Sequence, residues 1–514
     1  MSELLAMHDK IQAIEALRLR LQQGGGPEAI DKQHRAGKLT ARERVEKLLD
    51  PGTFLEIEPF SKPIDPGIEV DKHSIRGDGL VCGYGEVNGR TICVWSQDAT
   101  VLGGTVGIIH GGKMVTLMER ALKARVPCVG MIDSEGMRVE DILTTPTNYT
   151  YDRMMYLQTI ASGVVPQISL IMGPCVGPAT LSALLADFVF MVRNTSYALV
   201  SPPPPGANLY EIGGADIHAK SSGCCDVLAD KDEDCIDKVR ELLDLLPLNN
   251  TTEMPTIDTG DDPEREVQEL LDLVPANSKK SFSMHRAISL IVDNGKFVEI
   301  KRMWAMNLIV GFARMGGHSV GIIANNPQVK AGCMDVDSAD KLARFVNFCD
   351  AFNIPLVYLA DCPAFLPGIE QERRGIIRHG SKVVFSNSVA SVPQVQIYIR
   401  KCYGGGNLAM PGNSIGGDLG IAWPISNVML MHPEGAVSII YRKEIAAAEN
   451  REEEFKKRLS QFEDSGSVEN VWEYFTVQNY INPKDTRSTI IKSLKALRSK
   501  VEERQWMKHD NMPL

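Results

Sequence analysis

The chain contains a near-copy of part of itself, and this repeat constrains the fold more than any other feature. From Val165 it reads VPQISLIMGPCVGPATLSALLADFVFMV, and from Val392 it reads VPQVQIYIRKCYGGGNLAMPGNSIGGDLGIAWP. With Pro166 set on Pro393, Gln167 falls on Gln394, Gly177 on Gly404, Pro178 on Gly405 and Ala179 on Gly406, without a gap. Upstream, RVPCVGMIDSEGM matches NIPLVYLADCPAF, so that Pro127 falls on Pro355 and Asp133 on Asp361. Pro127 and Pro166 are 39 residues apart, Pro355 and Pro393 are 38 apart, and Gln97 and Asn325 each lie 30 residues before Pro127 and Pro355. Self-similarity on this scale means two copies of one supersecondary unit. Two homologous domains are therefore predicted.

Each copy places a glycine turn between a strand-like run and a helix start. Val395 to Ile399 alternate as a strand does, and Gly404, Gly405 and Gly406 follow. Such a junction leaves backbone N–H groups without intrahelical partners, which suits an anion or a developing oxyanion. A plain tight turn is the alternative, since an isolated glycine motif is weak. Other chemistry finds less support. There is no HExxH and no Walker sequence. GxSxG occurs around Ser319 and Ser414, but the first lies in a strand-like run and the second in a glycine-rich loop, not at a nucleophile elbow. GGGNLA fits a loose dinucleotide fingerprint, yet no acidic residue follows about 20 residues on. Asp133 and Asp361 read as strand-end structural groups.

Strand-like and helix-like runs alternate through both halves, as in an α/β layered fold. Thr40 with Glu43 predicts a capping box, and Arg42 in the same turn is either solvated or a phosphate ligand. Asn88-Gly89 marks a hairpin, and an amphipathic helix follows from Gly103. Pro, Asp, Asn and Thr accumulate over 245–280. The expected domains are 1–250 and 281–514, joined by a linker at 251–280. The net charge of −10 without a basic cluster argues against nucleic acid as a partner. Eleven cysteines lack metal spacing, and Cys224–Cys225 reads as packing. No metal is expected. With no apolar run near 18 residues and no signal-peptide pattern at MSELLAMHDK, a cytoplasmic location is expected.

Several long motifs then carry a resemblance. KLTARERVEKLLDPGTF at Lys38, SQDATVLGG at Ser96, VVPQISLIMGPC at Val164, VGFARMGG at Val310, FVNFCDAFNIP at Phe345, FLPGIEQERRGIIRHGSK at Phe365 and AWP at Ala422 are similar to the carboxyltransferase (β) subunits of biotin-dependent acyl-CoA carboxylases of the propionyl-CoA type. Carboxyltransferase subunits of biotin-dependent acyl-CoA decarboxylases are similar too. The resemblance implies two crotonase-like domains and a hexamer made as a dimer of trimers. It implies an acyl-CoA on the N-terminal domain and biotin approaching the C-terminal domain of an opposing subunit. CO2 passes between the two, with each enolate oxygen held by backbone amides. Catalytic positions carried over are Gly177 and Pro178 on the acyl side and Gly405 and Gly406 on the biotin side, with Gly404 also binding biotin. Gly136, Met137, Arg138, Gly177 and Ala179 map to acyl-CoA binding, Arg138 beside its phosphates. A biotin carboxylase and a biotin carboxyl carrier are implied as partners, because no ATP-binding signature and no Met-Lys-Met sequence occur here.

The departures surround the expected acyl pocket, where a different substrate, a rebuilt donor set or reduced activity is expected. Where the family has two glycines this chain has Gly177-Pro178, and proline has no N–H. The family's GGARI-like run is Glu135-Gly136-Met137-Arg138-Val139, and Asn407-Leu408 replace a Tyr-Asp pair. Glu135, Asn407 and Leu408 are thus candidate specificity residues. Three alternatives stay open: the reverse reaction in a decarboxylase complex, a structural subunit paired with an active paralogous carboxyltransferase, and a biotin-free enzyme using Glu135 as acid or base.

Overall fold

The structure is a computed structural model that describes residues 2–63, 76–138, 141, 149–202, 205–412, 415–465 and 477–513. Two compact units form, Met1–Thr252 and Glu253–Leu514. Residues 253–280, expected as a linker, belong to the second unit. Ile257 N–H donates to Gly317 O at 3.1 Å and Val267 N–H to Lys484 O at 2.8 Å. Burial of Val267 and Leu270 holds the segment down.

The first unit contains β1 (Leu55–Glu56), β2 (Leu80–Val87), β3 (Arg90–Gln97), β4 (Cys128–Ile132), β5 (Gln167–Ile171), β6 (Pro174–Val176), β7 (Phe188–Val192), β8 (Tyr197–Leu199) and β9 (Val227–Ala229). Its sheet runs β1-β2-β3-β4-β5-β7-β9, and β6 and β8 pair separately. β2 and β3 form the expected hairpin, with Asn88 at φ 51° and Gly89 at φ 70° closing it. From β3 onward all pairings are parallel. Helices cover such sheets, so β4, β5 and β7 are mostly apolar, interrupted in β5 by Gln167 and Ser169, and are buried throughout. The helix Ile108–Ala124 lays Met114, Leu117, Met118 and Ala121 into this core and ends at Arg125, in the left-handed region at φ 56°.

The second unit repeats the plan. It contains β10 (Phe297–Ile300), β11 (Leu308–Met315), β12 (His318–Asn325), β13 (Leu356–Cys362), β14 (Gln394–Tyr403), β15 (Leu419–Ala422), β16 (Asn427–Met429) and β17 (Asn479–Tyr480). The order is β10-β11-β12-β13-β14-β15-β17, with β16 on β14. The correspondence extends to single atoms. Asp133 N–H donates to Gln97 Oε1 at 3.2 Å, and Asp361 N–H donates to Asn325 Oδ1 at 3.1 Å. Buried Lys113 donates to Gly77 O and Leu80 O, and buried Lys341 donates to Lys301 O and Leu308 O. Asp133 and Asp361 are both fully buried at strand ends. Asp133 is held by Arg44 at 2.9 Å and Lys38 at 2.9 Å, Asp361 by Arg400 at 2.6 Å. Arg44 comes from an N-terminal helix and Arg400 from β14, so the charge is conserved between the halves while its source differs. The capping box at Thr40 forms as expected. Among the described residues no helix is long and apolar enough to cross a membrane.

Candidate functional site

Each unit carries one strand–turn–helix junction of the same geometry. Gly177 has φ 68° and ψ −134°, and Gly404 has φ 48° and ψ −119°. Both are backbone conformations that strain any residue with a Cβ. Gly177 N–H donates to Leu199 O at 2.9 Å on β8, and Gly404 N–H donates to Met429 O at 2.9 Å on β16. Thr180 N–H closes onto Gly177 O, and Asn407 N–H onto Gly404 O, each at 3.0 Å. Helices Pro178–Leu185 and Gly405–Ala409 start there.

These bonds decide which amides remain for a ligand. Gly177, expected as an oxyanion donor, has its N–H committed to Leu199, and Pro178 has none. The expected Gly177–Pro178 donor pair is therefore not what this turn leaves free: its available amide is that of Ala179, whose N–H meets no acceptor among the described residues. On the other side Gly404 is committed in the same way, while Gly405 and Gly406 both keep available N–H groups. Ala179 and Gly406 are buried and Gly405 is half-buried, and all three lie in the first turn of a helix, where N–H groups have no intrahelical partner and are open to an external acceptor.

A second amide flanks each turn. Val106 bridges Met137 in parallel fashion, with Val106 N–H donating to Gly136 O at 2.9 Å and Arg138 N–H to Val106 O at 3.0 Å. Met137's own N–H therefore points away from Val106, and it has no acceptor among the described residues. Met334 bridges Phe365 identically, leaving the Phe365 N–H turned outward. The segments lie against their turns. A Cβ on Gly136 would sit 3.8 Å from Val176 O, and one on Gly405 would sit 2.6 Å from the Phe365 ring. A Cβ on Gly406 would sit 2.7 Å from Cys362 O, so packing beneath this turn favours bare backbone at both positions. Phe365 was missed as a site residue in the sequence, although the repeat places it on Met137 at the same offset that sets Asp361 on Asp133.

Other candidates fall elsewhere. Arg138 is buried, and its guanidinium is taken by Asp78 at 2.8 Å and by Thr105 O at 2.9 Å. Arg42 makes a two-pronged pair with Glu56 at 3.0 Å. Neither guanidinium stands ready for a phosphate without giving up a carboxylate. Glu135 is exposed, with its carboxylate over Gly103, where a Cβ would meet Oε2 at 3.0 Å. Asn407 turns inward to Tyr398 Oη at 3.4 Å and Cys402 Sγ at 3.6 Å, so it supports the turn from below. Leu408 is 42% exposed on the outer side of its helix. Ser319 is buried in β12, away from any elbow. Val139 and Ser414 lie outside the described residues. No group of three metal-ligating side chains occurs among the described residues.

Comparison with known proteins agrees with this duplicated architecture. The model of the carboxyl transferase domain family matches residues 32–512. The methylmalonyl-CoA decarboxylase subunit alpha of Veillonella parvula is 40% identical, with 99% of each chain covered. The carboxyltransferase subunit of propionyl-CoA carboxylase from Haloferax mediterranei is 38% identical over 99% of this chain and 100% of that one. Among solved structures, transcarboxylase 12S, described as a hexamer assembly with methylmalonyl-coenzyme A and methylmalonic acid bound, superposes with a TM-score of 0.93 at 37% identity, covering 99% of this chain and 98% of that one. The fold is thus the expected two-domain, crotonase-like α/β one.

Proposed function

Because the chain belongs to the carboxyl transferase domain family, we propose that it moves a carboxyl group between biotin on a separate carrier protein and the α-carbon of a short acyl-CoA. One observation carries the reading: the same outward-facing amides recur at equivalent places in both units. On the acyl side, Ala179 N–H and Met137 N–H receive the thioester oxygen as it gains charge. On the biotin side, Gly406 N–H and Phe365 N–H receive the ureido oxygen, with Gly405 N–H beside them. Biotin, when bound, supplies the transferable carboxyl group and the base for the α-proton. This chain's part is to hold the two oxygens with donors fixed in advance, which act most strongly where charge develops. No protein nucleophile is needed, in keeping with buried Ser319 and with Asp133 and Asp361 locked in ion pairs.

Pro178 does not remove a working donor in this reading, because the amide that serves is one residue further on. Glu135 at the rim selects among acyl groups. The partners are a biotin carboxylase and a biotin carboxyl carrier protein, in a hexamer whose sites join the N-terminal unit of one chain to the C-terminal unit of another. The decarboxylase direction stands as the second reading, since a decarboxylase subunit matches as closely as a carboxylase subunit does. Both directions use the same amides. The test is carboxyl transfer from free carboxybiotin to propionyl-CoA, and the reverse from methylmalonyl-CoA to biotin, with purified protein. Absence of both would defeat the proposal. The proteins that copurify with the chain, a soluble biotin carboxylase or a membrane decarboxylase subunit, distinguish the directions.

A further inference from the structure

The helices that carry the outward-facing amides are short, Pro178–Leu185 and Gly405–Ala409. Helices of so few residues are marginal alone, so tertiary contacts set where they point. Their last carbonyls also lack intrahelical partners. In each unit a buried side-chain amide from the preceding long helix takes one of these carbonyls. Gln158, on helix Tyr149–Ala161, donates Nε2–H to Ser182 O at 3.0 Å. Asn387, on helix Ile376–Val389, donates Nδ2–H to Ala409 O at 3.1 Å and to Leu408 O at 3.3 Å. A carbonyl only accepts, so the nitrogen of each side-chain amide faces the helix end. The remaining oxygen is held as well. Gln158 Oε1 accepts from Ser182 Oγ at 2.7 Å, and Asn387 Oδ1 accepts from Tyr358 Oη at 3.0 Å. Gln158, Ser182, Asn387 and Tyr358 are all buried.

The offset that sets Pro166 on Pro393 also sets Ser182 on Ala409, so the same carbonyl is clamped in both units. It lies three residues beyond the outward-facing amide, Ala179 in one unit and Gly406 in the other, about one helical turn. The paired glutamines Gln167 and Gln394 donate Nε2–H to the backbone oxygens of Gln158 and Asn387, at 3.0 and 3.1 Å. Yet the same offset sets Gln158 on Phe385, not on Asn387. The bond is thus reached from different positions in the two halves, by a longer side chain in one and a shorter one in the other. We propose that Gln158 and Asn387 are positioning residues for carboxyl transfer. Each holds the far end of an amide-bearing helix and so fixes the aim of the Ala179 or Gly406 N–H at an oxygen gaining charge. The assignment rests on the function proposed above. An aimed donor acts most where charge develops, so the clamps bear on turnover and not on ground-state binding.

The test uses the full-length protein and steady-state transfer from free carboxybiotin to propionyl-CoA. Gln158→Met and Asn387→Leu remove the clamps and keep most of the volume. Each is expected to lower kcat by about tenfold to a hundredfold, the cost of a misaimed group. KM for either substrate should stay within about threefold of the parent, which a loosened pocket would not allow. Where these variants fold poorly, Ser182→Ala and Tyr358→Phe decide. They leave the clamping amide in place and free only its oxygen, and should lower kcat by about threefold or more with KM unmoved. A kcat within about twofold of the parent in variants that unfold at the parent's temperature overturns the proposal, as does a raised KM with kcat kept. A parent that transfers in neither direction would instead defeat the proposed function itself.

Discussion

At the scale of single residues, the Gly177 turn makes the sharpest claim. Ala179 N–H, not a glycine N–H, is the donor left over. Converting the Pro178–Ala179 amide to an ester, by placing the α-hydroxy analogue of alanine at position 179, removes this N–H and little else. The transfer rate is expected to fall by roughly 10²–10³, the usual cost of one oxyanion donor. Pro178→Gly tests the same assignment from the other side. Proline at the first helical position presets φ and limits the unfolded chain. The glycine variant should therefore lose about 0.5–1 kcal/mol of stability. Its turnover on propionyl-CoA should stay within about threefold of the parent, a shift of under 1 kcal/mol in barrier. A large rise in turnover would show that the missing proline N–H matters after all. His110 supplies a pH-dependent prediction. It is buried between Asp78 O, which accepts from Nδ1 at 2.8 Å, and the Gln97 amide, and burial lowers its pKa to about 3. Unfolded, the ring protonates near its ordinary value of 6.5. The unfolded state thus binds more protons between these values, so the contribution of His110 is fully present above about 6.5 and is lost as pH falls toward about 3. Urea midpoints taken from pH 7 down to pH 4.5 should fall less steeply in His110→Gln than in the parent.

At the scale of elements, the strand-end carboxylates tie distant segments together. Asp361 accepts from Arg400, which also donates to Lys280 O at 2.7 Å and stacks over Phe282 at 4.7 Å. One pair thereby fastens residues 253–280 to β14, the strand that leads into the Gly404 turn. Asp361→Leu would leave a buried guanidinium without its carboxylate. Loss of a buried partner costs about 3–5 kcal/mol, so thermal unfolding of the variant should show the second unit weakened most. An unchanged unfolding profile would mean that Arg400 is satisfied by the carbonyls alone.

At the scale of the whole molecule, the two half-sites need not meet within one chain. If the N-terminal unit of one chain serves the C-terminal unit of another, two inactive variants can complement. One would carry the ester at Ala179 and the other an ester at Gly406. Random co-assembly should restore roughly a quarter of the sites in a closed symmetric oligomer. No recovery on mixing would place both half-sites within one chain.

Much of this was readable in one dimension. The offset of the repeat set Gln97 on Asn325, Asp133 on Asp361 and Gly177 on Gly404, and each pair makes equivalent bonds. Thr40 with Glu43 and Asn88 with Gly89 announced their cap and hairpin, because those interactions span two to four residues. The donors were read less well. Proline at 178 is visible in the sequence, but the loss of Gly177 as a donor depends on Leu199, which β8 brings beside β6. Arg138 looked available until Asp78 met it, and Arg42 until Glu56 did. The Phe365 amide faces outward only because a parallel bridge sets it against Met334. A sequence states which groups can donate and accept. Which of them stay free is decided only when folding brings partners together, since a buried polar group takes whichever partner it meets.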